Sequence, residues 1–172
     1  MAVQITGIGM NLPSKSMTNS DFEKILDTSD QWITERTGIK VRYFSDKDQA
    51  ASDLAYPACL EAIEKAKISK DSIDLIIVAT VTPDYLFPTT ACILQNRLGL
   101  PPTPAFDLLA GCTGFIYAAE VARNFLESQR YKCILVVAVE ELTKILDLQD
   151  RNTAVLFGDG AAAAIFQHIE GD

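Results

Sequence analysis

Continuous apolar runs alternate along the chain with segments whose apolar residues recur at helical spacing. The runs 73–80 (IDLIIVAT) and 133–139 (CILVVAV) are unbroken and rich in β-branched residues, which is typical of strands buried on both faces. Shorter apolar runs at 3–8, 105–110 and 161–169 predict three more strands. This alternation indicates an α/β fold with a mostly parallel five-stranded sheet and helices on its faces.

Capping residues indicate where the intervening helices begin. Thr18 predicts one helix start, and Thr28 or Ser29 predicts another. A third helix is predicted from Ser52. Because it contains Pro57, this helix is expected either to begin nearer the proline or to bend there. Two further helices are predicted at 89–98 and directly after Cys112.

The same pattern places one cysteine at the junction of a strand and a helix. Cys112 follows the run 105–110 and lies between Gly111 and Gly114. A thiol at this position would lie at the carboxyl edge of the sheet and face the unpaired N–H groups of a helix N-terminus. Those groups favour a thiolate and can hold an oxyanion, so Cys112 is a candidate nucleophile, with a buried structural cysteine as the alternative. The other cysteines lie within apolar runs and are predicted to be core residues: Cys59, Cys92 and Cys133.

Charge and composition exclude several classes of protein. A net charge of −8 and a pI of about 4.6 argue against nucleic-acid binding, which needs clustered Lys and Arg. No apolar run reaches the roughly 18 residues of a membrane span, and the segment MAVQITGIGM lacks the basic start of a signal peptide. The four cysteines form no CxxC pair and the chain has one histidine, so no metal site is expected. A cytoplasmic protein with reduced cysteines is predicted.

Four motifs in this order resemble the β-ketoacyl-acyl-carrier-protein synthase III family, which has the thiolase fold. They are 27–39 (DTSDQWITERTGI), 82–92 (TPDYLFPTTAC), 110–115 (AGCTGF) and 150–163 (DRNTAVLFGDGAAA). The resemblance covers essentially the whole chain. It implies that residues 1–172 form the N-terminal domain of a duplicated thiolase-like fold whose C-terminal half is absent from this sequence.

The resemblance also implies an acyltransferase activity. The expected reaction is the decarboxylative Claisen condensation of a short acyl-CoA, such as acetyl-CoA, with malonyl-acyl carrier protein, which initiates fatty-acid synthesis through an acyl-Cys112 intermediate. No metal or redox cofactor is implied, and a homodimer is expected. In the family a histidine and an asparagine from the second half complete the site, so a partner half that carries them is expected. His168 matches neither position and is interpreted as incidental.

Coenzyme A residues carry over from the motifs 27–39 and 150–163. By resemblance, Trp32 stacks on the adenine of coenzyme A and Arg151 lies on the other face of the base. Thr28 and Arg36 match residues near the nucleotide and its phosphates. A planar guanidinium and an indole are suited to enclosing a flat base, although core packing is the alternative for Trp32.

Three residues match the acyl pocket of the family. Phe87 matches a loop residue that reaches across a dimer to close the pocket of the neighbouring subunit, and Leu142 and Phe157 match the wall of the pocket itself. Ordinary core packing is the alternative for all three. The segment FGDGAA lacks the GxGxxG and P-loop patterns, so a tight turn before the last strand is predicted there.

Two other functions stay open on the sequence. One is a related thiolase-fold condensing enzyme or acyltransferase of secondary metabolism. The other is a non-catalytic half that binds a partner chain. In either case the helices of this chain are expected not to cover both faces of the two long apolar strands, which would leave an apolar face for a partner.

Overall fold

Residues 2–169, the part of the chain described by this computed structural model, form one five-stranded sheet and a separate two-stranded ribbon, with helices packed around them. The strands are β1 (Ala2–Asn11), β2 (Lys15–Thr18), β3 (Val41–Phe44), β4 (Leu75–Ala79), β5 (Ala105–Leu108), β6 (Cys133–Glu141) and β7 (Asp159–Ile169). The α-helices are α1 (Asn19–Phe22), α2 (Asp30–Thr37), α3 (Ala51–Ala66), α4 (Thr90–Arg97) and α5 (Gly114–Glu127).

The large sheet has the order β1-β7-β6-β4-β5 and is mixed. The predicted α/β fold with five strands is confirmed. The central strand β4 pairs in parallel with β5 and β6, but β7 pairs antiparallel with both β6 and β1. The sheet is therefore less uniformly parallel than predicted. The segment 142–158 between β6 and β7 contains turns but no crossover α-helix, and an antiparallel return does not need one.

Helices cover both faces of the central strands. Residues of α3 and α4 pack with Ile76 and Val78 on one face, and residues of α5 pack with Leu75 and Ile77 on the other. All five residues of β4 are buried. The expectation that this chain would leave a face of its central strands uncovered was therefore wrong. Large apolar side chains instead stay exposed on β1 and on the outer side of α5, among them Ile8, Met10, Ile116 and Tyr117.

Two glycines on β1 allow α3 to lie directly on the sheet. A Cβ atom built on Gly7 would lie 2.2 Å from the carbonyl oxygen of Ala62, and one built on Gly9 would lie 2.1 Å from that of Ala58. Any side chain at either position would collide with the helix backbone. The close approach of α3 holds β1 in place as the edge strand of the sheet.

The helix starts follow the predicted capping residues. The Thr18 side chain accepts a hydrogen bond from the backbone N–H of Asp21 at the start of α1, and the Ser29 side chain accepts one from Trp32 at the start of α2. Helix α3 begins at Ala51 and continues through Pro57, so the alternative of a start nearer the proline was wrong. No helix within residues 2–169 has both the length and the apolar character needed to cross a membrane.

The ribbon of β2 and β3 was not predicted. It carries a buried cation, Arg42, whose contacts connect α1 and the residues after α2 to the rest of the chain. The guanidinium of Arg42 on β3 donates from Nε to the carbonyl oxygen of Val155 at 2.8 Å and lies 5.3 Å from the ring centroid of Phe22. Burial lowers the pKa of Arg42. Asn19, which also contacts this guanidinium, donates to the carbonyl oxygen of Ile39 at 2.9 Å. These contacts fix the position of α2 and of its tryptophan.

Candidate active site

A cavity of about 820 Å³ opens beside Cys112 at the carboxyl ends of the central strands. Its floor is a lateral row of small side chains on neighbouring strands, because Ala79 pairs with Ala138 and Ala138 pairs with Ala162. Side chains of this size leave space above the sheet where α5 has not yet begun. Cys112 and Phe115 close the cavity from above this floor.

Cys112 lies in a tight 3-10 turn, Gly111–Thr113, and not in the helix itself. Helix α5 begins at Gly114, so the helix starts one residue later than predicted. Gly111 has a φ of +54°, a conformation that favours glycine. A Cβ on Gly114 would lie 3.1 Å from that of Ala79, so the absence of a side chain lets the start of α5 approach β4 closely. The thiol of Cys112 is exposed at the edge of the cavity.

The four cysteines divide into two exposed and two buried thiols. Cys59 and Cys133 are buried, as predicted, and burial raises the pKa of their thiols to about 12 and about 11 respectively. Cys92 is exposed, so its prediction as a core residue was wrong. It lies in the first turn of α4, where its Sγ contacts the carbonyl oxygen of Ala105 at 3.8 Å. The helical spacing of α4 did not indicate which side of the helix faces solvent.

We expect iodoacetamide to alkylate Cys112 fastest of the four cysteines at neutral pH. Of the other three cysteines, Cys92 is the one that is also exposed. Cys59 and Cys133 are expected to stay unmodified in the folded chain because their thiols are buried and protonated. Peptide mapping by mass spectrometry over a time course measures the four rates. Faster modification of Cys92 than of Cys112 would contradict the assignment, and labelling in denaturant provides the control for intrinsic reactivity.

The single histidine of the chain lies far from Cys112. His168 Nε2 is 2.7 Å from the carbonyl oxygen of Leu126, close to the C-terminal end of α5, whereas Cys112 precedes the N-terminal end of that helix. A helix of 14 residues is about 21 Å long. His168 therefore cannot exchange a proton with the Cys112 thiol directly.

Three of the four predicted coenzyme A residues lie together on one side of the chain. The Cζ atom of Arg36 lies 4.8 Å from the ring centroid of Trp32, and that of Arg151 lies 5.4 Å from it. Arg151 also donates to the backbone carbonyl oxygen of Asp27 at 2.9 Å. The side-chain oxygen of the fourth residue, Thr28, is buried without a hydrogen-bond partner in the described part of the chain. Two cations and an indole thus form a site suited to a phosphorylated base.

The spacing at this site is too small for a stacked base between Trp32 and Arg151. A base enclosed by two planar groups needs them about 7 Å apart, which is twice the stacking distance. The perpendicular separation of the indole and the guanidinium cannot exceed the 5.4 Å between Arg151 Cζ and the ring centroid. An adenine could enter this gap only if Arg151 moved outward from its contact with Asp27.

The three predicted acyl-pocket residues occupy different environments. Leu142 lines the cavity beside Cys112. Phe157 is half-buried and is not among the described residues that line this cavity, although its neighbour Gly158 is. Phe87 lies in the loop between β4 and α4, and 87% of its side chain is exposed, so core packing does not account for it. The tight turn predicted at FGDGAA was wrong: the turn ends at Leu156, and β7 already begins at Asp159 within this segment.

Comparison with known proteins shows what this chain is similar to. A family model described as 3-oxoacyl-[acyl-carrier-protein] synthase III matches residues 106–172. The β-ketoacyl-[acyl-carrier-protein] synthase III of Fusobacterium nucleatum subsp. nucleatum is 57% identical over 169 residues, which are 98% of this chain and 52% of that protein. The crystal structure of 3-oxoacyl-[acyl-carrier-protein] synthase III from Aquifex aeolicus VF5 has a TM-score of 0.96 at 45% identity, over 99% of this chain and 55% of that one. Over 98% of its length, this chain is similar to about half of a β-ketoacyl-acyl-carrier-protein synthase III.

A more distant condensing enzyme has nearly the same fold over this region. The priming β-ketosynthase from the R1128 polyketide biosynthetic pathway has a TM-score of 0.95 at 32% identity, over 98% of this chain and 51% of that one. The sequence identity to the synthase III proteins of Fusobacterium nucleatum and Aquifex aeolicus is higher than this. The chain spans about half the length of the relatives it matches.

The sequence did not predict one residue at the cavity beside Cys112. Glu140 lines the cavity together with Cys112 and Val81. Its carboxylate accepts a hydrogen bond from the backbone N–H of Val81 at 3.0 Å. The available signal was a pair of acidic residues, Glu140 and Glu141, directly after a continuous apolar strand that ends at the same edge of the sheet as Cys112.

Proposed function

We propose that residues 1–172 are the nucleophile-bearing N-terminal domain of a cytoplasmic β-ketoacyl-acyl-carrier-protein synthase III. The substrates would be a short acyl-CoA, such as acetyl-CoA, and malonyl-acyl carrier protein. The observation that supports this proposal most directly is the exposed Cys112 thiol at the edge of a cavity floored by Ala79, Ala138 and Ala162. Small apolar residues beside a nucleophile leave room for a short acyl chain.

The first half-reaction needs only groups that this chain carries. The Cys112 sulfur attacks the carbonyl carbon of the acyl thioester, the coenzyme A sulfur leaves and takes up a proton, and a new thioester forms at Cys112. The backbone N–H of Cys112 and those of α5 after Gly114 are the candidate donors for the oxyanion, since the N–H groups of Thr113 and Gly114 already donate to Ala110 and Gly111. The positive end of the α5 dipole attracts the negative charge that develops on this oxygen.

The second half-reaction needs groups beyond this chain. Malonyl-acyl carrier protein would lose CO₂, and the resulting carbanion would attack the acyl carbon to release a β-ketoacyl product and the free thiol. We propose that a C-terminal half supplies the histidine and the asparagine that stabilise this charge. The exposed side chains Ile8 and Met10 on β1, with Ile116 and Tyr117 on α5, form an apolar surface that such a half could cover.

A homodimer is also part of the proposal. Strand β5 lies at the edge of the sheet, and an edge strand presents unpaired N–H and C=O groups to a second chain. Pairing of the segment PAFDLLA with its copy across a two-fold axis would satisfy these groups. In such a dimer the exposed Phe87 would reach the acyl pocket of the neighbouring subunit, and Leu142 and Phe157 would contribute to the wall of the subunit's own pocket.

The test of the proposed function is acyl transfer to the chain. After mixing with acetyl-CoA, intact-mass measurement is expected to detect one added acetyl group, and peptide mapping is expected to locate it on Cys112. A chain that takes up no acyl group, alone or with a second half from a relative, would favour the non-catalytic alternative. A preference for another acyl group over acetyl would favour a condensing enzyme of secondary metabolism.

Trp32→Ala is expected to weaken coenzyme A binding by about 1–3 kcal/mol, the range found when an aromatic side chain that stacks on a base is removed. Coenzyme A should also quench the fluorescence of Trp32, the only tryptophan of the chain. Fluorescence and calorimetric titrations measure both effects. The matched control is Tyr56→Ala, because Tyr56 also lies beneath an arginine, with Arg97 Cζ 5.0 Å from its ring centroid, but belongs to α3. Equal dissociation constants for Trp32→Ala and the unmodified chain would rule out stacking on Trp32.

A further inference from the structure

The wall of the Cys112 cavity is held by one carboxylate. Glu140 on β6 accepts hydrogen bonds from the Val81 N–H at 3.0 and 3.2 Å, one to each carboxylate oxygen, and from the Thr82 hydroxyl at 2.6 Å. The Thr82 oxygen in turn accepts the Glu141 N–H at 2.8 Å. The residues that follow β4 therefore donate hydrogen bonds to the end of β6, and the end of β6 donates one back to them.

The direction of the Glu140 side chain places its hydrogen bonds to Val81 in the wall of the cavity. Successive residues of a strand point to opposite faces, so Ala138 and Glu140 share the face that carries α5. Ala79 of β4 lies on the same face, and it lines the cavity with Val81 and Glu140. Val81 is 39% exposed and is not packed into the core, so its position depends on hydrogen bonds to its backbone.

The residues after Val81 lead to the loop that carries Phe87. This loop has a second attachment, because Asp84 accepts the Ser52 N–H at 2.9 Å and the Ser52 hydroxyl at 2.6 Å. Loss of the Glu140 contacts would therefore release Val81, while the Glu141 N–H still holds Thr82 and Asp84 still holds the middle of the loop. The cavity wall would change without loss of the loop or of the fold.

We propose that Glu140 is a positioning residue that sets the size of the acyl group accepted at Cys112. It acts through Val81, whose backbone N–H it holds at the cavity wall, and through the hydroxyl of the next residue, Thr82, and it takes no part in bond formation. This inference rests on the proposed function, since it assigns the determinant of acyl size to the cavity of that same nucleophile. A displacement of a cavity wall by about 1 Å is enough to change a rate by up to 100-fold.

The test compares Glu140→Ala with a matched variant at the other end of the same two strands. Asp74, just before β4, accepts the Lys132 N–H at 2.7 Å and the Cys133 N–H at 3.3 Å, so Asp74→Ala also removes a carboxylate that joins β4 to β6. Alkylation of Cys112 by N-ethylmaleimide and by N-octylmaleimide gives a ratio of rates for a short and a long group. Hydrogen exchange of the segment 80–87, followed by mass spectrometry, reports the position of the wall.

Glu140→Ala is expected to raise the ratio of long-chain to short-chain alkylation about tenfold and to speed hydrogen exchange at 80–87. Glu140→Gln, which keeps one acceptor oxygen, should lie between Glu140→Ala and the unmodified chain. Asp74→Ala should leave both readouts unchanged, even if it lowers the melting temperature. An unchanged ratio in Glu140→Ala, or an equal change in Asp74→Ala, would overturn the proposal.

Acyl transfer separates this inference from the proposed function. Alkylation and hydrogen exchange need no coenzyme A chemistry, so they decide the role of Glu140 even if the chain takes no acetyl group from acetyl-CoA. If acetyl transfer occurs, Glu140→Ala is expected to slow it about tenfold with an unchanged dissociation constant for coenzyme A, because the Trp32 site does not contact Glu140. Failure of acetyl transfer in the unmodified chain alone would count against the proposed function and not against the positioning role.

Discussion

Cys112→Ala is expected to abolish acyl transfer from acetyl-CoA to the chain. Cys112 is the exposed thiol that lines the cavity, and the reaction requires a sulfur to form the new thioester. The loss should be complete and not partial, because Cys59 and Cys133 are buried and protonated at neutral pH. Intact-mass measurement over time gives the rate for each variant.

Cys92→Ala is the matched control for this experiment. Cys92 is also exposed and lies in the first turn of α4, but its sulfur contacts the carbonyl oxygen of Ala105 on β5 and does not line the cavity. The variant is expected to take up acetyl at the rate of the unmodified chain. Acetylation that persists in Cys112→Ala and disappears in Cys92→Ala would assign the role of nucleophile to Cys92 and contradict the proposed function.

The 172-residue chain by itself is expected to form no β-ketoacyl product from acetyl-CoA and malonyl-acyl carrier protein. Its single histidine, His168, contacts the carbonyl oxygen of Leu126 close to the far end of α5. Without a histidine and an asparagine at the cavity, the negative charge that develops on decarboxylation has no side-chain stabilisation. The expected products are an acyl-enzyme at most and intact malonyl-acyl carrier protein.

Adding the second half as a separate chain tests both that condensation is absent without it and that condensation returns with it. The C-terminal half of a synthase III relative, expressed as its own chain and mixed with the 172 residues, should restore condensation if the two halves associate. Light scattering on the mixture reports that association. Robust condensation by the 172-residue chain alone would refute a catalytic site divided between two halves, and Cys112→Ala in the mixture provides the blank.

The alternation of strands and helices could be predicted from the sequence because it depends on local patterns. The buried strands β4 and β6 follow from continuous apolar runs, since only residues covered on both faces lose their polar alternation. Helix starts at Thr18 and Ser29 follow from side chains that satisfy neighbouring N–H groups. The position of the Cys112 thiol at the strand-to-helix junction follows from the apolar run before it, the helical spacing after it and its neighbouring glycines.

The direction of β7 and the exposure of Cys92 were decided only by the tertiary structure. An apolar strand has the same pattern whichever way it runs, so pairing partners in space determine that β7 lies antiparallel between β1 and β6. Similarly, the spacing of apolar residues in α4 does not show which of its residues the sheet covers, and Cys92 lies on the open side.

The cavity itself also belongs to the tertiary structure. Its floor combines Ala79, Ala138 and Ala162 from three strands that are far apart in sequence, and its wall depends on a carboxylate of β6 that binds the backbone beyond β4. Each residue is unremarkable in its own segment. Local sequence determined the strands of the large sheet, the helix starts at Thr18 and Ser29, and the candidate nucleophile. The shape of the site arose from side chains brought together across the sheet, because packing between distant segments leaves no periodic signal in the chain.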